Sequence, residues 1–499
     1  MKRILYKILF VLPLSALVFS SCENWLEASS SSNVEADKLF QTREGFHDAL
    51  TGIYMNMGES DAYGGYMTWY CNDCVAYPLG ATTNTTDYLQ RHVYTNTTTR
   101  PMVEAIWSRC YNIVANINMI LRELEARRNV IANEDEYNII KGELLGLRAY
   151  IHFDLMRLYG VAVWNDENSS KLTVPYCREY SSKVTPQRSY ADTETLLMED
   201  LNTAIEALGT SDPLVMEASK KADFEANYNI DGYWSNRQKH FNYYTALGLM
   251  ARVYQWKDDK AKAAEYAQKV IDGAEGSFVT WADPDAILTA SSDDTRDWTF
   301  STEHIFSLEV TNLSTNTTGL LFDVAGSQNG MCLPANTVDN LLFVRYDAET
   351  GSQAGVEDLR GPAMRLRVGA YGYYDYKLYY STGYASAYRN LMPMMKLPEM
   401  YYIVAENYVA LGQNGDALAA LDEVRVARGV SDAYESTADA ATELMKEYYR
   451  EFISEGQLVY YLKHCRVSSS IEPSFDVTYE DLVYPYPVDE VNYGRVQEL

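Results

Sequence analysis

The sequence predicts a mostly α-helical domain of about four helix pairs, with a loop-rich irregular region carrying short strands. Three observations predict it. Four apolar stripes recur at helical spacing, one helix–turn–helix unit recurs 154 positions later, and two aromatic-rich stretches show no sustained period.

The first stripe is Phe46, Ala49, Leu50, Ile53, Tyr54 and Met57, with Thr42 placed to cap its start. Val103, Ile106, Cys110, Val114, Ile117 and Leu121 make a second. Ile140, Leu144, Leu147, Ile151, Leu155 and Leu158 make a third, closed by Gly160. Leu197, Leu201, Ala204 and Leu208 make a fourth, with Gly209 as the expected stop. Each stripe leaves an apolar face that needs a partner, so these helices pack on one another.

In the repeat, Ala251-x-x-Tyr254 matches Ala405-x-x-Tyr408, and Ala264, Ala267 and Val270 match Leu418, Leu421 and Val424. Small residues where paired helices cross are the logic of tetratricopeptide (TPR) repeats. TPR-like helices are expected over about 40–57, 103–160, 190–273 and 396–465. Residues of about 60–100 and 275–395, rich in Gly, Asn, Thr, Asp, Tyr and Trp, are expected to be long loops facing a ligand.

The N-terminus fixes a compartment. Lys2, Arg3 and Lys7 precede a short apolar run, and Ser20-Ser21 precede Cys22. Residues 1–21 therefore read as a secretory signal peptide and Cys22 as a lipidation site, followed by a flexible tether to residue 38. Two or more acyl chains make a stable anchor, at roughly 0.8 kcal/mol per buried methylene. The chain carries a net charge of −27, and loss of three cations with the leader makes it more acidic still. Such a field repels nucleic acid and anionic headgroups.

No constellation nominates a catalytic group. The six histidines (His47, His92, His152, His240, His304 and His464) form no HExxH pair or zinc set, and no GxSxG, P-loop or GxGxxG follows an expected strand. His152 reads as a packed helix histidine. Asp293-Asp294 beside Asp297 reads as a solvated acidic loop rather than a calcium site. Cys71-Asn72-Asp73-Cys74 reads as a polar loop with a disulfide or free thiols, and no second pair follows at zinc-ribbon spacing. No enzyme, cofactor or metal is expected.

From Cys22 to near the C-terminus the chain resembles the SusD/RagB family of outer-membrane nutrient-binding lipoproteins of Bacteroidota. The resemblance rests on Leu39-Phe40, Ala49-Leu50-Thr51-Gly52-Ile53-Tyr54, Gly142-Glu143-Leu144, Leu147-Arg148-Ala149-Tyr150, Leu158-Tyr159-Gly160 and Asp200-Leu201. It continues in Leu249 to Tyr254, Ala405-Glu406-Asn407, Val424 to Gly429, Arg450-Glu451-Phe452, Glu455-Gly456 and Tyr484-Pro485-Tyr486-Pro487. Leu458 and Tyr461 depart from it, standing where the family usually has an arginine and an aspartate. The resemblance implies a SusD-like binding domain over 39–499 that takes an oligosaccharide. Its implied partner is a SusC-like TonB-dependent outer-membrane transporter.

With 42 tyrosines and eight tryptophans, the chain is rich in rings that stack on sugars or peptide side chains. Rings in the irregular stretches are the candidates, since family ligands are held by loop aromatics: Tyr66, Trp69, Tyr77, Trp281, Trp298, Tyr373 and Tyr374. A face covering roughly 50 Å² contributes about 1.3 kcal/mol, so two or three contacts imply weak, releasable binding. Two rivals stand beside the sugar reading: peptide capture, which the acidic charge favours mildly, and a TPR scaffold without a nutrient ligand.

Overall fold

Several helices begin where a side chain satisfies one of their first amides. In the structure, a computed structural model, the described residues are 38–80, 83–161, 165–317, 321, 331–343, 358–362, 364–369, 371–379, 388–469, 471–472 and 475–494. Cys22 and the whole leader and tether through residue 37 lie outside them. The Thr42 side chain accepts the amide of Gly45 to start the Arg43–Met57 helix. Asn133 accepts the Glu136 amide at 2.8 Å, and Glu134, Asp135 and Glu136 place negative charge against that helix's positive end.

The long helices Thr99–Ala126 and Glu134–Tyr159 form an antiparallel pair, and Tyr190–Ser211 packs along the second of them. Two further pairs follow: Tyr243–Trp256 with Lys260–Ala274, and Leu397–Ala410 with Asn414–Val426. Ala440–Glu451 and Leu458–His464 close the helical body. The stripes are its core: Val103, Ile106, Cys110, Val114 and Ile117 are fully buried, as are Leu144, Leu147, Ile151, Leu155 and Leu158. Gly209 does not stop its helix, which runs to Ser211. A β-carbon there would meet the Tyr243 ring at 3.1 Å, so the glycine admits a neighbour instead.

Buried arginines pin the helices together. Arg148 makes a two-pronged pair with Asp200, at 2.7 and 2.6 Å. Arg252 pairs likewise with Glu399, at 2.6 and 2.7 Å, and also donates to the Tyr150 hydroxyl. Bidentate pairing offsets much of the cost of desolvating these charges. His152 is a packed histidine, as its stripe implies. Its Nε2 accepts the Cys177 amide at 3.0 Å, its Nδ1 lies 2.8 Å from the Arg148 carbonyl, and burial lowers it to about 4.

Strands are few and short. His304–Glu309 pairs antiparallel with Leu391–Lys396, setting Phe306 opposite Met395 and Leu308 opposite Met392. Leu366–Val368 pairs antiparallel with Tyr373–Asp375. Among the described residues no helix is long and apolar enough to cross a membrane.

Candidate functional site

The first irregular stretch is more ordered than its composition suggests. Residues 58–70 fold as a run of tight turns, in which Tyr63 donates to Asp154 at 2.9 Å and the Trp69 indole donates to the Gly64 carbonyl at 3.1 Å. Cys71–Ala76, expected as a polar loop, is a helix with every residue buried. Cys71 and Cys74 are free thiols there, and burial pushes both well up, away from reactivity. A second short helix, Asn84–Gln90, follows a capping box at Thr83.

The two loop regions meet. The Gly80 amide donates to the Cys332 carbonyl at 2.6 Å, and Leu333 and Tyr373 exchange backbone bonds of 2.8 and 2.9 Å. Asp73 then ties this unit to the last helices by accepting the amides of Ser454 at 2.6 Å and Gly456 at 3.0 Å. Burial raises its carboxyl well above the usual range, although those amides and Lys377 act the other way.

Beneath the loops lies a network of buried ions. Lys396 bridges Glu451 and Glu455 at 2.6 and 2.7 Å; Lys377 reaches Glu455 at 2.7 Å and the carbonyls of Glu451 and Ile453. Arg428 clamps Glu303 at 2.7 and 2.6 Å, and Arg360 joins Asp358, Glu447 and Glu451. Burial lowers Lys377 to about 8. Perturbed buried groups such as Lys377 often mark catalysis. Here every named carboxylate already holds a cation or a backbone amide, so the network fastens the loops to the helices.

The ring candidates divide. Trp69, Tyr77, Trp298, Tyr373 and Tyr374 are packed inside, none more than 5% exposed, and so offer no stacking face. Tyr77 donates to the Tyr449 carbonyl at 3.1 Å, and Tyr373 to Asp339 at 2.9 Å. Trp298 centres a small core with Ala282, Ile287, Phe300 and Leu359. The physical reason is that irregular backbone cannot exclude water through long ladders, and large rings supply the missing apolar volume. Tyr66 and Trp281 are only partly buried. Tyr66 leans on Tyr70, with ring centroids 6.0 Å apart; the Trp281 ring lies 5.4 Å from that of Tyr401, and its indole donates to Glu275 at 2.9 Å. No ring contact joins Tyr66 to Trp281 among the described residues. Asp293 and Asp297 are also engaged, the first by Arg296 and Arg367, the second by Thr299 and Ser301.

A cleft of about 510 Å³ opens instead where residues 92–95 face Tyr159 and residues 483–486. Tyr94 and Tyr484 meet edge to face at 5.3 Å, and Tyr486 stands edge-on to Trp107 at 5.7 Å. Three hydroxyls are spent on the protein: Tyr94 donates to the Asp481 carbonyl, Tyr159 to that of Val103, and Tyr484 to Asn72. Tyr486 is the partly exposed ring of the four, and burial pushes its hydroxyl up to about 12, so it stays protonated. His92 donates Nε2–H to the Val75 carbonyl at 3.0 Å, and burial lowers its pKa, keeping it neutral. Sequence reasoning passed over these residues. Tyr94 lay in a suspected loop and Tyr484-Pro485-Tyr486-Pro487 in a recognised motif, but nothing local signals that they converge.

Residues 24–226 match the family model SusD-like_3, described as "Starch-binding associating with outer membrane". That stretch is similar to the SusD-like family. The fold is shared with solved structures over nearly the whole chain. A SusD superfamily protein from Bacteroides vulgatus matches with TM-score 0.69 at 19% identity, covering 92% of this chain and 98% of the other. One from Bacteroides thetaiotaomicron gives 0.67 at 18%, covering 91% and 98%. A SusD-like carbohydrate binding protein from Bacteroides vulgatus gives 0.59 at 16%, covering 85% and 84%. Among curated proteins no sequence matches. The family match takes in Tyr94 and Tyr159 of the cleft; Tyr484 and Tyr486 lie beyond it.

Proposed function

We propose that this protein is an outer-membrane lipoprotein, anchored through Cys22, that captures an oligosaccharide. It passes the sugar to a SusC-like TonB-dependent transporter, over which it acts as a lid. The observation that carries this reading is a tyrosine-lined cleft on a SusD-like fold, a fold shared with a protein described as carbohydrate binding. Ring faces suit the C–H faces of sugars, and pockets of this size suit small ligands. Tyr486 in the cleft, with Tyr66 and Trp281 on the loops, are the rings proposed to touch ligand. The chain acts by binding and release, without turnover.

Truncating a contact ring tests this. Tyr486→Ala, Tyr66→Ala and Trp281→Ala are compared with the parent by calorimetric titration against neutral oligosaccharides. At least one weakens binding by about 1–2 kcal/mol, the scale of a lost ring face. Normal binding by all three removes these rings from the site. Binding of basic peptides in place of sugars supports the peptide reading, which the net charge of −27 favours.

A further inference from the structure

A second cleft, of about 500 Å³, lies between the Thr99–Ala126 and Glu134–Tyr159 helices, apart from the loop regions. Its base is built from buried polar groups. Arg148, 4% exposed, is fixed by Asp200 and donates to the Asn118 side-chain oxygen at 2.8 Å. Asn118 in turn donates to the Cys177 carbonyl at 3.0 Å. These bonds, with the amide of Cys177 on His152, hold residues 177–180 across one end of the cleft. The floor and walls are therefore pre-formed and rigid.

Two tyrosines line the cleft, each with an arginine over its ring. Arg128 lies 4.1 Å from the Tyr137 ring centroid, and Arg122 lies 4.9 Å from that of Tyr180, which is 46% exposed. Lys141 and the carboxylates of Glu125 and Glu179 also line the cleft, none with a hydrogen-bond or ion-pair partner among the described residues. An anion entering here meets two carboxylates, and a cation meets lysine and arginine. A neutral polyol meets neither penalty: its hydroxyls accept from Lys141 and donate to Glu125 and Glu179, while its ring stacks on tyrosine.

We infer that this helix-face cleft is a second binding site for neutral oligosaccharide, separate from the loop-borne rings. The inference rests on the carbohydrate reading above, and the test separates the two. The full-length, detergent-solubilised protein is titrated calorimetrically with maltoheptaose, then cellohexaose, xylohexaose and mannohexaose; the sugar that gives heat is carried to the variants. Two sites per chain are expected. Tyr180→Ala and Lys141→Ala each weaken one of them about five- to tenfold, as loss of one ring face or one charged donor implies. Both leave the other site and the melting temperature unchanged, since neither side chain is in the core. A single site insensitive to both variants overturns the inference while leaving the carbohydrate reading intact. So does an oligogalacturonate that binds this cleft more tightly than the neutral sugar. Absence of heat with all four sugars overturns the carbohydrate reading itself, and the inference with it.

Discussion

Tyr254 and Tyr408 occupy the same place in two copies of one unit, each two residues before the end of a 14-residue helix. The correspondence continues through the turn. The amide of Asp259 returns to the Tyr254 carbonyl at 3.0 Å, and that of Gln413 to Tyr408 at 2.9 Å. Between them Asp258 and Gly412 both take left-handed backbone, with φ of 65° and 70°.

A left-handed position penalises any β-carbon. At Gly412 nothing else lies within 4 Å of where one would sit, so Gly412→Ala isolates the backbone effect. It should cost about 1 kcal/mol in urea unfolding. Asp258→Gly should gain by a similar mechanism, less what is lost with its Lys260 pair. An unchanged Gly412→Ala midpoint would show that the turn is not strained.

The buried network makes stability depend on acid. Burial by itself would raise Glu447, but Arg360 at 2.7 Å and Arg450 at 2.6 Å outweigh it and hold the carboxyl at about 2. A carboxyl depressed on folding contributes stability that is present above its ordinary pKa near 4.5 and is lost as pH falls toward 2. Glu447→Gln leaves Arg450 with its other partners only, and should destabilise by about 3–5 kcal/mol at neutral pH. Its unfolding free energy should also fall less steeply than the parent's between pH 4.5 and 2. An identical slope in the two proteins would remove Glu447 from the acid response.

Packed and exposed rings separate on truncation. Trp69→Ala and Trp298→Ala should each cost roughly 3–5 kcal/mol, because both rings are enclosed. Trp281→Ala should cost clearly less, since that ring is only partly buried. Thermal melts of the three variants decide this, and equal losses would place Trp281 in the core with the others.

The helical body was legible because its faces repeat with one period, and the copies at Tyr254 and Tyr408 could be aligned without any structure. The loops were read in the wrong sense at several positions. Trp69, Trp298 and Tyr373 stood in aperiodic, polar-rich sequence, which suggests exposure, yet they fill the core that such backbone cannot otherwise build. Cys71 to Cys74 looked polar through Asn72 and Asp73, whose side chains are spent on Tyr484 and on the amides of Ser454 and Gly456. All three partners lie more than 380 positions away. The same distance hides the cleft, whose rings come from residues 94, 159, 484 and 486. Leu458 and Tyr461 make sense only in three dimensions: both are buried, and Tyr461 stacks on Tyr448 with centroids 3.6 Å apart. An apolar pair fills the place of a possible ion pair at little cost.

The proposed lipid anchor is tested by Cys22→Ala. The variant should appear as soluble protein or as uncleaved precursor, because the diacylglyceryl thioether is its only proposed tether. Fractionation with the membrane like the parent would place the anchor elsewhere.

Titrating the pure protein with neutral oligosaccharides and analysing the recovered sugar tests capture without chemistry. Saturable binding with a Kd in the micromolar to millimolar range is predicted, with the sugar recovered intact. No binding across the panel, or a shortened product that grows with incubation time, would contradict it.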